Sequence, residues 1–207
     1  MQHPNVIFLI QDQMQQRVLQ ESSGCFMPNL RALTSDGVNF TKAYTCNAVC
    51  SPSRASLLTG TLPHVHGMVD CTHTVPAYRA EYNDRLDTLT QAMHDEGYHV
   101  SYFGKWHIER THQLEKFGVD TYQTERQIPP FPVTLQEKVM LRNPGYGDRM
   151  VCSVFSEDST HTEEHYIYQT AMADMEAHRK DGRPFCTFLS TYAPHDPYCV
   201  PREIYDL

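Results

Sequence analysis

Val6-Ile7-Phe8-Leu9-Ile10, closed by Gln11-Asp12-Gln13, is an uninterrupted apolar, largely β-branched run that stops abruptly in polar residues. Such a run predicts a strand buried on both faces of a parallel sheet. In open parallel sheets ligands gather beyond the carboxyl ends of the strands, so Asp12 stands where a functional acid is useful.

Working outward, the same design recurs twice. Val100 to Phe103 reads as a second inner strand that leads into Gly104-Lys105-Trp106-His107, and Phe185 to Leu189 as a third that ends near Pro194-His195-Asp196-Pro197-Tyr198. Helical signals lie between them. Pro28 to Leu33 predicts a short helix with Pro28 in its first turn and Gly37 past its end, followed by a strand around Val38-Phe40. Pro52 opens a helix through Leu57-Leu58 that Gly60 closes. Leu86, Leu89, Ala92 and Met93 recur at helical spacing with Gly97 as the C-terminal cap, and a further helix is expected from Glu163 to Arg179. From Thr111 to Thr160 the pattern is irregular, with Pro129-Pro130-Phe131-Pro132 and Pro144-Gly145 marking turns. Alternating strand and helix imply an α/β sheet with parallel strands. Asp12, Lys105 with His107, and His195 then fall along one edge of that sheet.

Composition sets the outer limits. The 207 residues are 40% hydrophobic and 20% charged, an ordinary globular balance. A net charge of −8 argues against nucleic acid or an anionic membrane as partner, since both need a basic face. A small anionic substrate requires a local basic pocket. Seven cysteines, an odd number in a chain of this length, do not suggest a disulfide framework. Met1 runs almost directly into a five-residue apolar stretch, too short for a leader or a membrane span, so the expected location is cytoplasmic.

The most specific stretch is Cys50-Ser51-Pro52-Ser53-Arg54 with Ala55-Ser56-Leu57-Leu58-Thr59-Gly60 behind it. A helix opened by Pro52 presents free N–H groups that favour an anion beside Cys50, and Arg54 offers a permanently charged fork. This stretch resembles the sulfatase signature, a Cys-x-Pro-x-Arg core with a Leu-Thr-Gly extension. The resemblance implies that Cys50 is oxidised to formylglycine by a maturation enzyme. The hydrated aldehyde then attacks the sulfur of a small anionic sulfate ester, and its second hydroxyl expels sulfate and restores the aldehyde. A thiol or plain hydroxyl cannot perform that second step.

Three further elements are similar to those of the family and occur in its order. Asp12-Gln13 resembles the acidic pair that binds a divalent cation, with Gln13 in place of the second acid. The implied metal ligands are Asp12, Gln13 and position 50, and the implied ion is calcium, with magnesium or manganese as alternatives. Gly104-Lys105-Trp106-His107 resembles the element whose Lys contacts sulfate and whose His contacts formylglycine. Pro194-His195-Asp196-Pro197 resembles the element whose His protonates the leaving group. The implied catalytic set is Cys50, Arg54, Lys105, His107 and His195. The implied fold is an alkaline-phosphatase-like, mostly parallel sheet flanked by helices. Residues 1–207 are expected to form the N-terminal part of the catalytic domain, incomplete at its C-terminal side and inactive alone, with 111–160 as a substrate-side insert.

Other readings compete. A phosphonate or phosphate ester hydrolase of the same superfamily, or a non-catalytic fragment, is compatible with these motifs. His161-Thr162-Glu163-Glu164-His165 fits a zinc-peptidase pattern, although no third ligand is apparent. His64, His66 and His73 form a loose cluster that reads as mainly structural.

Overall fold

The computed structural model describes residues 3–76, 85–111, 113–145 and 147–206. Its strands are β1 (Val6–Gln11), β2 (His99–Gly104), β3 (Thr121–Thr124), β4 (Leu135–Leu141), β5 (Arg149–Phe155), β6 (Phe185–Thr191) and β7 (Tyr198–Pro201). Its helices are α1 (Pro28–Asp36), α2 (Cys50–Thr59), α3 (Pro63–His66), α4 (Leu89–Asp95), α5 (Glu163–Asp181) and α6 (Arg202–Tyr205). Four strands form one sheet in the order β1-β6-β2-β3, with every neighbouring pair parallel. β6 is therefore the strand that joins β1 to β2, with Val6 opposite Cys186 and Cys186 opposite Val100. This register brings the carboxyl ends of the three apolar runs side by side, and the α/β expectation holds.

Alternation along the strands separates two cores. Val100 and Tyr102 of β2, with Cys186 and Phe188 of β6, pack against Ala55, Leu58, Met68 and Trp106. Phe188 lies between the Phe8 and Tyr102 rings, stacked on both at 4.5 and 5.8 Å between centroids. The opposite faces, through Phe103 and Leu189, pack on Ile167 and Ala171 of α5. Helix α5 is capped by the Thr162 side chain, which accepts the His165 N–H, and by Gly182, whose N–H reaches the His178 carbonyl.

Four expectations need correction. β1 is an edge strand buried on one face only: Val6, Phe8 and Ile10 pack on the core, while Ile7 and Leu9 are 55% and 44% exposed. Val38 and Phe40 form no strand and are exposed, because apolar residues become a strand only where a partner edge exists to pair with. α2 begins at Cys50 rather than Pro52, with Val49 as its N-cap residue. The irregular stretch after Thr111 contains β3, which extends the main sheet, and β4 and β5, which form a second sheet with β7. In that second sheet β4 and β5 are antiparallel, with register shifts near Glu137, whose φ is 44°. Those irregular pairings blur the alternation by which a strand is read from sequence. No helix among the described residues is long and apolar enough to cross a membrane.

Candidate active site

Cys50 is the first residue of α2. The chain turns into the helix through Asn47, whose side chain accepts the Val49 N–H at 2.8 Å, and leaves it at Gly60, whose φ of 65° suits the left-handed cap. The Cys50 side chain therefore lies at a helix start, on the side of the sheet where β1, β2 and β6 end. Its Sγ is 3.2 Å from His107 Nδ1 and 3.8 Å from Cys71 Sγ.

The turn after β2 determines how Lys105 is presented. Gly104 has φ of 94°, and a Cβ there would stand 1.9 Å from the Ser190 carbonyl oxygen, so only glycine fits. The same oxygen accepts the Lys105 N–H at 2.8 Å. Three donors then converge on the Lys105 carbonyl: Arg54 Nη1 and the Tyr102 hydroxyl at 2.8 Å, and Ser190 Oγ at 2.9 Å. With its backbone held this way Lys105 is 1% exposed, and its Nζ lies 2.5 Å from Asp12 Oδ2 and 4.4 Å from the Tyr192 ring centroid.

Arg54 is buried as well. Besides the Lys105 carbonyl it donates to Ser190 Oγ at 2.7 Å and pairs with Asp12 Oδ2 at 3.3 Å. Its fork links α2, β6 and the ends of β1 and β2. Burial opposes ionisation of Asp12, but bonded Lys105 and neighbouring Arg54 outweigh it and hold the carboxyl below its ordinary value. Burial pushes the Cys50 thiol up; Lys105 pulls the other way, and Cys71 and Asp12 add to the rise. Burial and then Lys105, with His73 and Arg54 behind it, bring His107 down to about 4, so its ring is neutral at pH 7.

A cleft of about 940 Å³ opens over these groups, lined by Asp12, Gln13, Cys50, Arg54 and His195 among others. His195 Nδ1 is 2.6 Å from the Asp196 carbonyl oxygen and must donate to it, which leaves Nε2 as the nitrogen that can gain and give a proton. Gln13, with φ of 63°, donates from its amide nitrogen to the Tyr198 hydroxyl at 3.0 Å. A second cleft of about 630 Å³ shares His195 and is walled by Glu125, Phe131, Glu163 and Tyr198 among others.

Cys71 and His73 were not singled out as site residues by sequence. His73 Nδ1 is 3.2 Å from Cys71 Sγ and 3.3 Å from His107 Nε2, and the His73 and His107 rings are stacked. The only local signal for the pair is their spacing, a His two residues beyond a Cys. His66 is structural: it is buried between the Ser56 hydroxyl at 2.9 Å and the Met68 N–H at 3.1 Å. The zinc-peptidase reading loses its geometry. His161 sits in the 3-10 turn before α5, so it does not share a helical face with His165. Neither belongs to a three-ligand group among the described residues.

The choline-sulfatase of Rhizobium meliloti (strain 1021) is 25% identical over 218 residues, covering 99% of this chain and 41% of that protein. The chain thus spans about two fifths of the length of this curated relative. Among solved structures, the yidJ protein of Bacteroides fragilis superposes with a TM-score of 0.70 at 22% identity, over 95% of this chain and 45% of that one. The phosphonate monoester hydrolase SpPMH of Silicibacter pomeroyi superposes with a TM-score of 0.69 at 20% identity, over 97% and 43%. These likenesses show the fold. The Sulfatase family model matches residues 4–206, nearly the whole chain, and on that match the chain belongs to the sulfatase family.

Proposed function

We propose that this chain carries the nucleophile and much of the sulfate-binding machinery of a sulfuric ester hydrolase. The observation that carries the reading is electrostatic. In a chain of net charge −8, two buried cations, Lys105 and Arg54, pair with one carboxylate, Asp12, and Asp12 and Arg54 line the Cys50 cleft. A buried site with surplus positive charge beside a helix start suits a sulfuryl group.

The Cys50 thiol stands in for the hydrated aldehyde of formylglycine, which a maturation enzyme would supply and which provides a nucleophile able to release sulfate. Neutral His107, 3.2 Å from that side chain, is placed to accept its proton. Lys105 meets the sulfuryl oxygens as charge develops on them, and Arg54 holds the Lys105 backbone in place. His195, across the cleft, gives a proton from Nε2 to the departing alcohol. The donors at the end of β1 fit a hard cation in kind, since Asp12 and Gln13 offer oxygens. Asp12, Gln13 and the modified residue 50 would hold calcium, or magnesium or manganese, and the ion would polarise a sulfate oxygen. The second cleft adjoins His195 and is walled partly by residues 125–133, so we assign it to the alcohol portion of the substrate.

The test begins with co-expression of the chain and a formylglycine-generating enzyme, followed by peptide mass spectrometry across position 50. An aldehyde-bearing peptide supports the reading. Unmodified thiol in cells that convert a control sulfatase would sink it. The structural likeness to a phosphonate monoester hydrolase favours one second reading, activity on phosphonate esters. Parallel rates of the complete, matured protein on aryl sulfate and aryl phosphonate esters separate the two.

A further inference from the structure

The opposite end of β2 carries a second group of chemistry-bearing side chains, which the sulfatase reading does not use. His99 opens β2, and Asp174 and His178 stand one turn apart on α5, the helix packed across that strand. Six residues separate His99 from Lys105, so in a strand this group lies about 20 Å from the Cys50 cleft.

His99 Nε2 and His178 Nε2 are each 3.7 Å from Asp174 Oδ1. One donor atom from each of the three residues lies within 4.8 Å of the others. His99 is only 6% exposed, yet its Nε2 has no hydrogen-bond partner, and His178 Nδ1 is likewise buried without one. Unpaired buried ring nitrogens call for an explanation. Outer support is already in place. Ser101 Oγ donates to Asp174 Oδ2 at 2.5 Å, and Asp120 Oδ2 lies 3.7 Å behind His99 Nδ1 while accepting the Val100 N–H at 2.8 Å. A carboxylate behind an imidazole, and a hydroxyl behind a carboxylate, are the contacts that orient metal ligands.

We propose that His99, Asp174 and His178 form a second metal site, for zinc or a similar borderline transition ion, which pins α5 to the start of β2. Two imidazoles and one carboxylate suit such an ion better than they suit calcium. On a tetrahedral ion with bonds of about 2.0–2.2 Å, neighbouring donors stand about 3.3 Å apart, so the two gaps to Asp174 Oδ1 close by about 0.4 Å. The His99 and His178 rings are stacked at 3.5 Å between centroids.

The test uses cobalt(II) on the whole chain carrying Cys50→Ser and Cys71→Ser, so that the thiols around His107 cannot contribute. The expected result is one equivalent bound, with visible bands of a four- or five-coordinate ion and no thiolate charge-transfer band, displaced by zinc. His178→Gln, on a partly exposed helix face, should weaken binding by about a hundredfold or more, and Asp120→Asn by about 10- to 100-fold. Circular dichroism checks that each variant folds, and Asp120→Asn decides the matter if His178→Gln does not. No saturable binding to the parent, or equal affinity in the folded variants, overturns the proposal.

Discussion

Replacing Gly104 by Ala tests how the fold delivers Lys105. The added methyl carbon would stand 1.9 Å from the Ser190 carbonyl oxygen and 3.1 Å from Ile167 Cδ1, on a residue with φ of 94°. The backbone conformation alone costs a side chain about 1–2 kcal/mol. Moving the Ser190 carbonyl away also loses its bond from the Lys105 N–H, about 1 kcal/mol. Parting β2 from β6 at their carboxyl ends adds packing losses, for a total of about 4 kcal/mol or more. In a chain of this size that lowers Tm by about 8–16 °C. Gly182→Ala is the control, because Gly182 also has positive φ, 73°, but nothing lies within 4 Å of its Cβ position. It should lose only the backbone cost, about 1–2 kcal/mol. Urea unfolding followed by far-ultraviolet circular dichroism, compared at equal m, gives both numbers. Equal losses in the two variants would refute the close approach of β2 to β6 and the account of how Lys105 is positioned.

In the complete, matured protein Lys105→Ala should lower the chemical rate on an aryl sulfate by about a hundredfold or more, and an unchanged rate would remove Lys105 from the sulfate site. His107 titrates at about 4 when folded against an ordinary 6.5, so between these values the unfolded chain binds the extra proton and stability falls as pH falls. His107→Gln should flatten that part of the Tm-against-pH curve; parallel curves would show that His107 is not buried as described. Glu163 behaves oppositely. Burial, then Glu164 and Glu125, raise it from 4.5 to about 7, so stability is lost as pH rises through that window. Glu163→Gln should therefore raise Tm above about pH 7 and leave it unchanged below 4.5, and a gain of the same size at both ends would contradict this origin.

The fold was most legible where one strand is central. All six residues of β2 and all seven of β6 are buried, and each reads in sequence as a short apolar run closed by polar residues. β1 reads identically but is exposed on one face, because apolar content records what a strand can bury and not which neighbours it has. β4 and β5 escaped notice because their ladder shifts register and most of the β4 side chains are exposed, which leaves little alternation to detect. Val38 and Phe40 show the converse error, in which propensity without a pairing edge suggested a strand.

For the site, motif spacing singled out Asp12, Cys50, Arg54, Lys105, His107 and His195, but not the contacts that join them. Arg54 was read as a permanently charged fork, and its Nη1 and Nη2 contact Asp12, Ser190 and the Lys105 carbonyl. Its charge still acts, since it lies beside the same carboxylate that Lys105 touches. The global charge of −8 is no guide here. Charges farther apart than about 8–10 Å at the surface are largely screened, while buried groups a few ångströms apart are not. A site held by short contacts among Lys105, Arg54 and Asp12 is thus electrostatically independent of the acidic surface around it. An acidic sequence can therefore build an anion site, provided that its fold buries two cations against a single acid.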